Sequence, residues 1–376
     1  MSRGRPPAVT LGAFAREHIT AKRQAGKVTE EWLVAQAVFL ERALAFLGEE
    51  RRLSAVTGRD VEQWIAHLRT RVGRTGGRPL SEGSVRHHLN ALSNLYRRAQ
   101  GRHLVPPGYN PVAVLMEKPS GRRLEAAWLE VPDAALLLEA ARRVGERDDG
   151  RALPFAYELV ATLLLTGGRL AEVLGLEVED VSLERRTVTF RPNAWRRLKT
   201  PGARRVVPLW PQLEEILRPY LSRRTAAEVL EDAPARRLLF PGRTKAREVM
   251  LGDIQKSLDR VAILAGFRDP VMNAEGSEQR RDAAGALRWR GTIRSKMFRH
   301  TYCAARLQTL DRGAPVAVDT VRRELGHGSA EMVERVYGHL GQVRHRAEAV
   351  EYRIEQHRER LGERIAALTA PGGDAG

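Results

Sequence analysis

The chain has 376 residues, 43% hydrophobic and 29% charged, which excludes a disordered tail or a fibre and, at roughly 100–200 residues per domain, indicates two or three domains. Lys and Arg total 63 against 46 Asp and Glu, and the resulting +17 suits a polyanionic partner, although only seven of the 63 are lysines and a GC-rich genome would skew composition the same way. The single cysteine, Cys303, excludes a disulfide framework and a cysteine zinc site; no apolar run reaches the ~18–20 residues of a membrane span, and the basic N-terminus lacks the apolar core of a secretory signal, so a cytoplasmic protein is expected.

After a basic arm over residues 1–10, helical periodicity recurs in four blocks before residue 105. The first, 11–25, carries Leu11, Phe14 and Ile19, and the second, 30–47, sets Trp32, Leu33, Ala37, Leu40, Leu44 and Leu47 on one stripe. The third follows Thr57-Gly-Arg-Asp60, where the threonine can cap the first turn and the aspartate holds the capping-box position ahead of Val61, Trp64, Ile65 and Leu68. The fourth starts after Ser81 or Ser84 and runs through Val85, Leu89, Leu92, Leu95 and Tyr96. Four such helices bury their stripes only against one another, which predicts a helical bundle over 11–115. Residues 1–120 hold 19 Lys/Arg and 10 Asp/Glu, about half the excess charge. Pro106–Pro111 and Glu117–Arg123 then break the periodicity, and residues 116–130 read as a linker.

A second domain is expected over 131–340. Pro132-Asp133 opens a helix, Phe155 to Leu165 reads as a buried one, and Gly167-Gly168 interrupts it. Thr187–Phe190 and Arg205–Leu209 are strand-like runs flanked by turn residues, Pro201-Gly202 among them, which predicts a small antiparallel sheet. Residues 211–223, 252–266, 293–310, 316–325 and 330–337 read as helical, whereas 268–292 lack periodicity and read as a surface insertion. The tail, 341–376, places Val350, Ile354, Leu361, Ile365 and Leu368 on one helical face. The fold class is mainly α with a small antiparallel sheet, α+β.

No phosphate-binding G-x-x-x-x-G-K-[ST] loop, H-E-x-x-H or Cys/His pair at zinc spacing is present, which argues against an ATP-driven helicase or a zinc hydrolase; no cofactor and no metal are expected. Chemistry-bearing groups gather in the second domain. In Leu164-Leu-Thr-Gly-Gly-Arg169-Leu-Ala-Glu172, an arginine beyond a glycine pair can be oriented by the glutamate three residues on, and a structural ion pair explains the spacing equally well. Lys199 stands at the turn between the two strands. Lys296-Met-Phe-Arg299-His300-Thr301, Glu324-Leu-Gly-His327 and Arg335-Val-Tyr337-Gly-His339-Leu follow.

Taken together and in this order, the pieces resemble the tyrosine recombinase (phage integrase) family, whose signature runs T-G-x-R-x-x-E, a hairpin lysine, H-x-x-R-H-T, L-G-H and a nucleophilic tyrosine. The resemblance covers about residues 10–340, the bundle matching the family's SAM-like core-binding domain. It implies a site-specific recombinase that cleaves and rejoins duplex DNA through a 3′-phosphotyrosine. Tyr337 would attack, Arg169 and Arg299 hold the phosphate, Lys199 protonate the leaving 5′ oxygen, and His327 donate to the same phosphate, with Glu172 and His300 in support. Lys296 stands where the family usually has histidine, either as a tolerated cation or as a sign of impaired activity, since a lysine near its ordinary pKa of about 10.4 accepts a proton poorly. Tyr302 and Tyr352 are rival nucleophiles that read as packing residues.

On the fourth helix Arg86, His87, Arg97 and Arg98 are the candidate DNA contacts, and the pair His87-His88 reads as a DNA-facing or solvated surface. The resemblance further implies double-stranded DNA as partner, a homotetramer on two DNA sites, a nucleoid-associated location, accessory DNA-bending proteins in some systems, and no membrane partner. Some ten residues precede the first helix, which leaves recognition of core sites as the expectation. The tail helix packs either on its own domain or on a neighbouring protomer. Two other readings stay open: a non-catalytic DNA-binding regulator using 81–98 as a recognition helix, and a type IB topoisomerase-like enzyme that relaxes single duplexes.

Overall fold

The computed structural model describes residues 9–70, 79–120, 126–146, 153–196, 198, 203–230, 237–242, 248–273, 276–311, 314–328 and 333, with 359, 362 and 363. They belong to two units that divide between residues 124 and 125.

In the first unit, side-chain caps set the helix starts. Thr10 and Thr29 each accept an amide three residues on, opening α1 (Leu11–Gln24) and α2 (Glu30–Leu47). The expected capping box precedes α3 (Gly58–Thr70), with Asp60 Oδ2 accepting from the Thr57 amide at 2.7 Å and Thr57 Oγ1 accepting from the Asp60 amide at 3.3 Å. Of the two serines available, Ser81 caps α4 (Glu82–Gly101). The four stripes meet in one core, in which Trp64 and Tyr96 are fully buried and the Tyr96 hydroxyl donates to Leu53 O at 3.0 Å. Val112 and Leu115, beyond the first proline break, close the same core.

Adjacent residues on a helix lie about 100° apart, and this splits the histidine pair of α4. His87 is exposed, but His88 points inward, 2% exposed, with Nδ1 on Ser84 O and Nε2 on Arg42 Nη1 at 2.8 and 2.9 Å. The surface reading therefore holds for His87 alone. Arg86 and Arg97 are exposed on the outer face with Asn90, whereas Arg98 is half-buried.

The second unit is built around α6 (Ala156–Thr166), whose apolar run is buried nearly throughout and packs against α5 (Val131–Gly145). Short α7 (Leu170–Leu174) leads to an antiparallel sheet, β1 (Val181–Ser182), β2 (Thr187–Phe190) and β3 (Arg205–Pro208), in that order, with Phe190 opposite Arg205. Helices α8 (Pro211–Leu230) and α9 (Gln255–Leu264) cover the core, which centres on Leu159, Leu163, Val188, Phe190, Phe240 and Phe298.

Between α9 and α10 the chain departs from expectation. β4 (Arg268–Pro270) pairs with β5 (Trp289–Gly291), and bridges at Met272/Gln279 and Arg281/Leu287 carry the pairing through a segment that reads as irregular. Both faces are largely exposed, so neither needs the apolar alternation that marks a half-buried strand. Helix α10 (Ser295–Leu307), the short pair β6 (Leu310–Asp311) and β7 (Ala314–Pro315), and α11 (Val318–Leu325) complete the unit. Residues 126–130, read as linker, are docked here: Leu129 is buried and its amide donates to Thr301 Oγ1 at 2.9 Å. The helix expected over 330–337, apart from Val333, and the apolar face of the tail lie outside the described residues. No described helix is long and apolar enough to cross a membrane.

Candidate active site

The site begins where α6 ends. Gly167 adopts φ 59°, and a Cβ there would come within 2.6 Å of the Tyr302 ring; one on Gly168 would meet Val173 at 2.6 Å and Phe190 at 2.8 Å. The backbone thus threads between α10 and the sheet with no room for side chains, which fixes the residue that follows. Arg169 precedes α7, its amide donating to Glu172 Oε2 at 2.9 Å and its Nη1 to Glu172 Oε1 at 2.7 Å.

The last carbonyls of a helix lack intrahelical partners and carry the negative end of its dipole, so they attract cations. At the end of α11 three consecutive carbonyls accept from three arginines of different segments. Glu324 O takes Arg205 Nε at 2.6 Å, Leu325 O takes Arg299 Nη2, and Gly326 O takes Arg169 Nη2 at 3.4 Å. Arg299 also donates from Nη1 to Gly167 O at 2.8 Å, so the glycine turn and the helix end hold it between them. Gly326, at φ 62°, ends α11 and turns the chain to His327.

Two of these guanidiniums, Arg169 and Arg205, pair with the carboxylate of Glu172, and Arg299 stands near enough to feel its charge. Burial alone would raise the Glu172 acid, but Arg205 and Arg169 more than offset that and hold it at about 2. The remaining charge acts on the other groups. Burial, then Arg169 and Arg205, push the Arg299 guanidinium down to about 9, still protonated at neutral pH. Burial, then Arg299, Arg169 and Arg205, hold His327 at about 4, so its imidazole is neutral near pH 7, and its Nδ1 is buried without a partner among the described residues. A site with this excess of buried positive charge is relieved by an anion.

The structure brings Arg169, Glu172, Arg299 and His327 together. His300 lies on α10 next to Arg299, its pKa lowered by burial, Lys296 and Arg299, and it is one of the charges felt by His327. Lys296, one turn earlier, is exposed. Lys199 and Tyr337, with Tyr352, lie outside the described residues. Tyr302 is 5% exposed and donates to Glu324 Oε2 at 2.8 Å; burial and Glu324 raise its phenol well above 10, which suits packing rather than attack. Arg205 went unremarked in the sequence. Its signal is parity, since it shares the inward face of β3 with Val207 while Val206 is exposed.

The pH dependence of stability follows from His327. Unfolded, its imidazole titrates near 6.5; folded, near 4. Keeping it neutral contributes stability fully present above pH 6.5 and lost as pH falls through 4. Urea unfolding between pH 7 and 4 should show this slope, and His327→Gln should flatten it. What remains is shared by His300, also lowered by burial, Lys296 and Arg299, and by His18 of the first unit, which burial, Lys22 and Arg98 hold at about 4.

The sequence matches the phage integrase family over residues 137–343. A tyrosine recombinase XerD from Mycobacterium leprae (strain TN) is 32% identical over 173 residues, 46% of this chain and 51% of that protein, so the match spans about half the relative's length. Among solved structures, the Tn1549 transposon integrase in complex with a circular intermediate DNA aligns with TM-score 0.62 and 15% identity over 93% of this chain and 99% of that one. A lambda integrase dimer bound to a COC' core site aligns at 0.57 and 13% over 88% and 77%, and a lambda integrase tetramer bound to a Holliday junction at 0.55 and 14% over 89% and 79%. At these identities the structural matches show a shared fold.

Proposed function

This chain belongs to the phage integrase family, and on that footing we propose that it is a site-specific DNA recombinase that cleaves and rejoins duplex DNA through a covalent 3′-phosphotyrosine. The observation that supports this most is the cationic cluster at the end of α11, where Arg169, Arg205 and Arg299 gather beside a neutral His327 and leave an excess of positive charge that a phosphate would relieve. The Tyr337 oxygen bonds to phosphorus and gives up its phenol proton to solvent as the bond to the 5′ oxygen breaks, and that oxygen takes a proton from Lys199, which solvent then restores. One phosphodiester replaces another, so the bond energy is kept for rejoining, when a 5′ hydroxyl reverses the step. Arg169 and Arg299 oppose the charge that builds on the non-bridging oxygens, and His327 donates one hydrogen bond from its neutral ring. Lys296, exposed beside His300, serves as an additional cation toward the phosphate.

The first unit supplies phosphate contacts that set affinity, with Arg86 and Arg97 on the exposed face of α4. Each, changed to alanine, should lower the magnitude of the log Kd against log salt slope by about 1, uniformly across sequences, in a fluorescence-anisotropy titration. Assembly as a tetramer on two sites, with accessory DNA-bending proteins in a cytoplasmic, nucleoid-associated setting, belongs to the same proposal.

The test uses end-labelled duplex fragments of the DNA flanking the protein's own gene, nicked at random so that cleavage releases a short strand and cannot reverse. A protein–DNA adduct that survives denaturing electrophoresis is expected with the native chain. Its absence overturns the recombinase reading in favour of a DNA-binding regulator, and relaxation of supercoiled DNA without paired sites would indicate a topoisomerase.

A further inference from the structure

We propose that Arg205 is the positioning residue of this site, a single guanidinium that locks three segments into the frame from which Arg169, Arg299 and His327 meet one phosphate. Its Nη2 donates to Glu172 Oε2 at 2.7 Å and so fixes the turn that carries Arg169. Its Nη1 donates to Ala203 O at 2.9 Å and so braces the entry to its own strand, β3. Its Nε donates to Glu324 O at 2.6 Å and so fixes the end of α11 just before His327. Beneath it lies the Phe190 ring, 4.1 Å from the guanidinium carbon.

Fold stability alone does not call for this arrangement. Arg205 is 7% exposed, at an inward strand position that would ordinarily carry a valine or leucine, and a buried Arg–carboxylate pair is often no more stabilising than apolar residues of the same volume. Its geometry explains the choice. Only a planar fork donates in three fixed directions at once, whereas a lysine at the same place keeps the charge and loses the fork. Arg205 itself is too buried to reach DNA, so it acts through the residues it holds.

The inference rests on the recombinase reading. Arg205→Lys and Arg205→Met are assayed with the same nicked fragments at saturating protein, alongside DNA affinity and an NMR titration of the His327 ring. In both variants the cleavage rate should fall by about 100-fold, the cost of misplacing reacting groups by about 1 Å, while affinity stays within about twofold. The His327 pKa should rise in Arg205→Met, which removes a neighbouring cation, and hold near the native value in Arg205→Lys. A lysine variant that cleaves at the native rate overturns the proposal. So does an affinity that falls in step with cleavage, or a failure of both variants to fold, since either assigns Arg205 to the scaffold. If the native chain itself forms no adduct, the recombinase reading fails and the proposal falls with it.

Discussion

Tyr337→Phe should abolish the covalent protein–DNA adduct, and Tyr302→Phe should leave it intact. Removing the nucleophile of an enzyme that works through a covalent intermediate typically costs on the order of 10⁶ in rate, which here places the adduct below detection. The paired variant makes the result specific. Tyr302 is buried, donates to Glu324, and has its phenol raised well above the ordinary value, so it has neither access nor the ionisation that attack requires. Its loss leaves Glu324 with Arg306 as partner, at 3.0 Å, and costs about 1–3 kcal/mol of stability, read in urea unfolding. An adduct that persists in Tyr337→Phe would redirect the search to the other tyrosines.

The second large effect concerns Arg299. Arg299→Met should slow cleavage by about 10²–10³, the usual cost of one preorganised donor to a developing oxyanion. The accompanying signature is a change in response to anions. Native Arg299 is pressed by burial and by Arg169 and Arg205, so inorganic sulfate relieves the site and raises Tm; at 100 times its Kd an anion adds about 2.7 kcal/mol. In Arg299→Met part of that repulsion is already gone, and the sulfate response should shrink by more than half. Differential scanning fluorimetry across sulfate concentrations, at constant ionic strength, measures it. An equal response in both proteins would place the anion elsewhere.

Arg169, Glu172, Arg299 and His327 were legible because each sits in a short box whose order along the chain is informative even where single spacings are not. Arg205 stands in the sequence only as the first residue of a strand-like run, and its parity with the apolar Val207 is what places it inside. His88 was misassigned because it was paired with His87 by adjacency, when helical geometry turns neighbours to different faces. The paired segment from 268 to 291 escaped notice because exposure on both faces removes the pattern by which strands are recognised. The carbonyls that hold the arginines left no mark in the sequence, since every residue offers a carbonyl and only the place where a helix stops makes three of them available.

That last point bears on how variation at the end of α11 should be read. Glu324 serves two masters, its carbonyl gripping Arg205 and its carboxylate gripping Tyr302 and Arg306 behind the site. Substituting its side chain would leave the carbonyl in place but free the helix end to tilt, and all three guanidiniums would shift as one body. The last turn of α11 thus works as a keystone, and damage there should look like loss of a whole site rather than of any single contact.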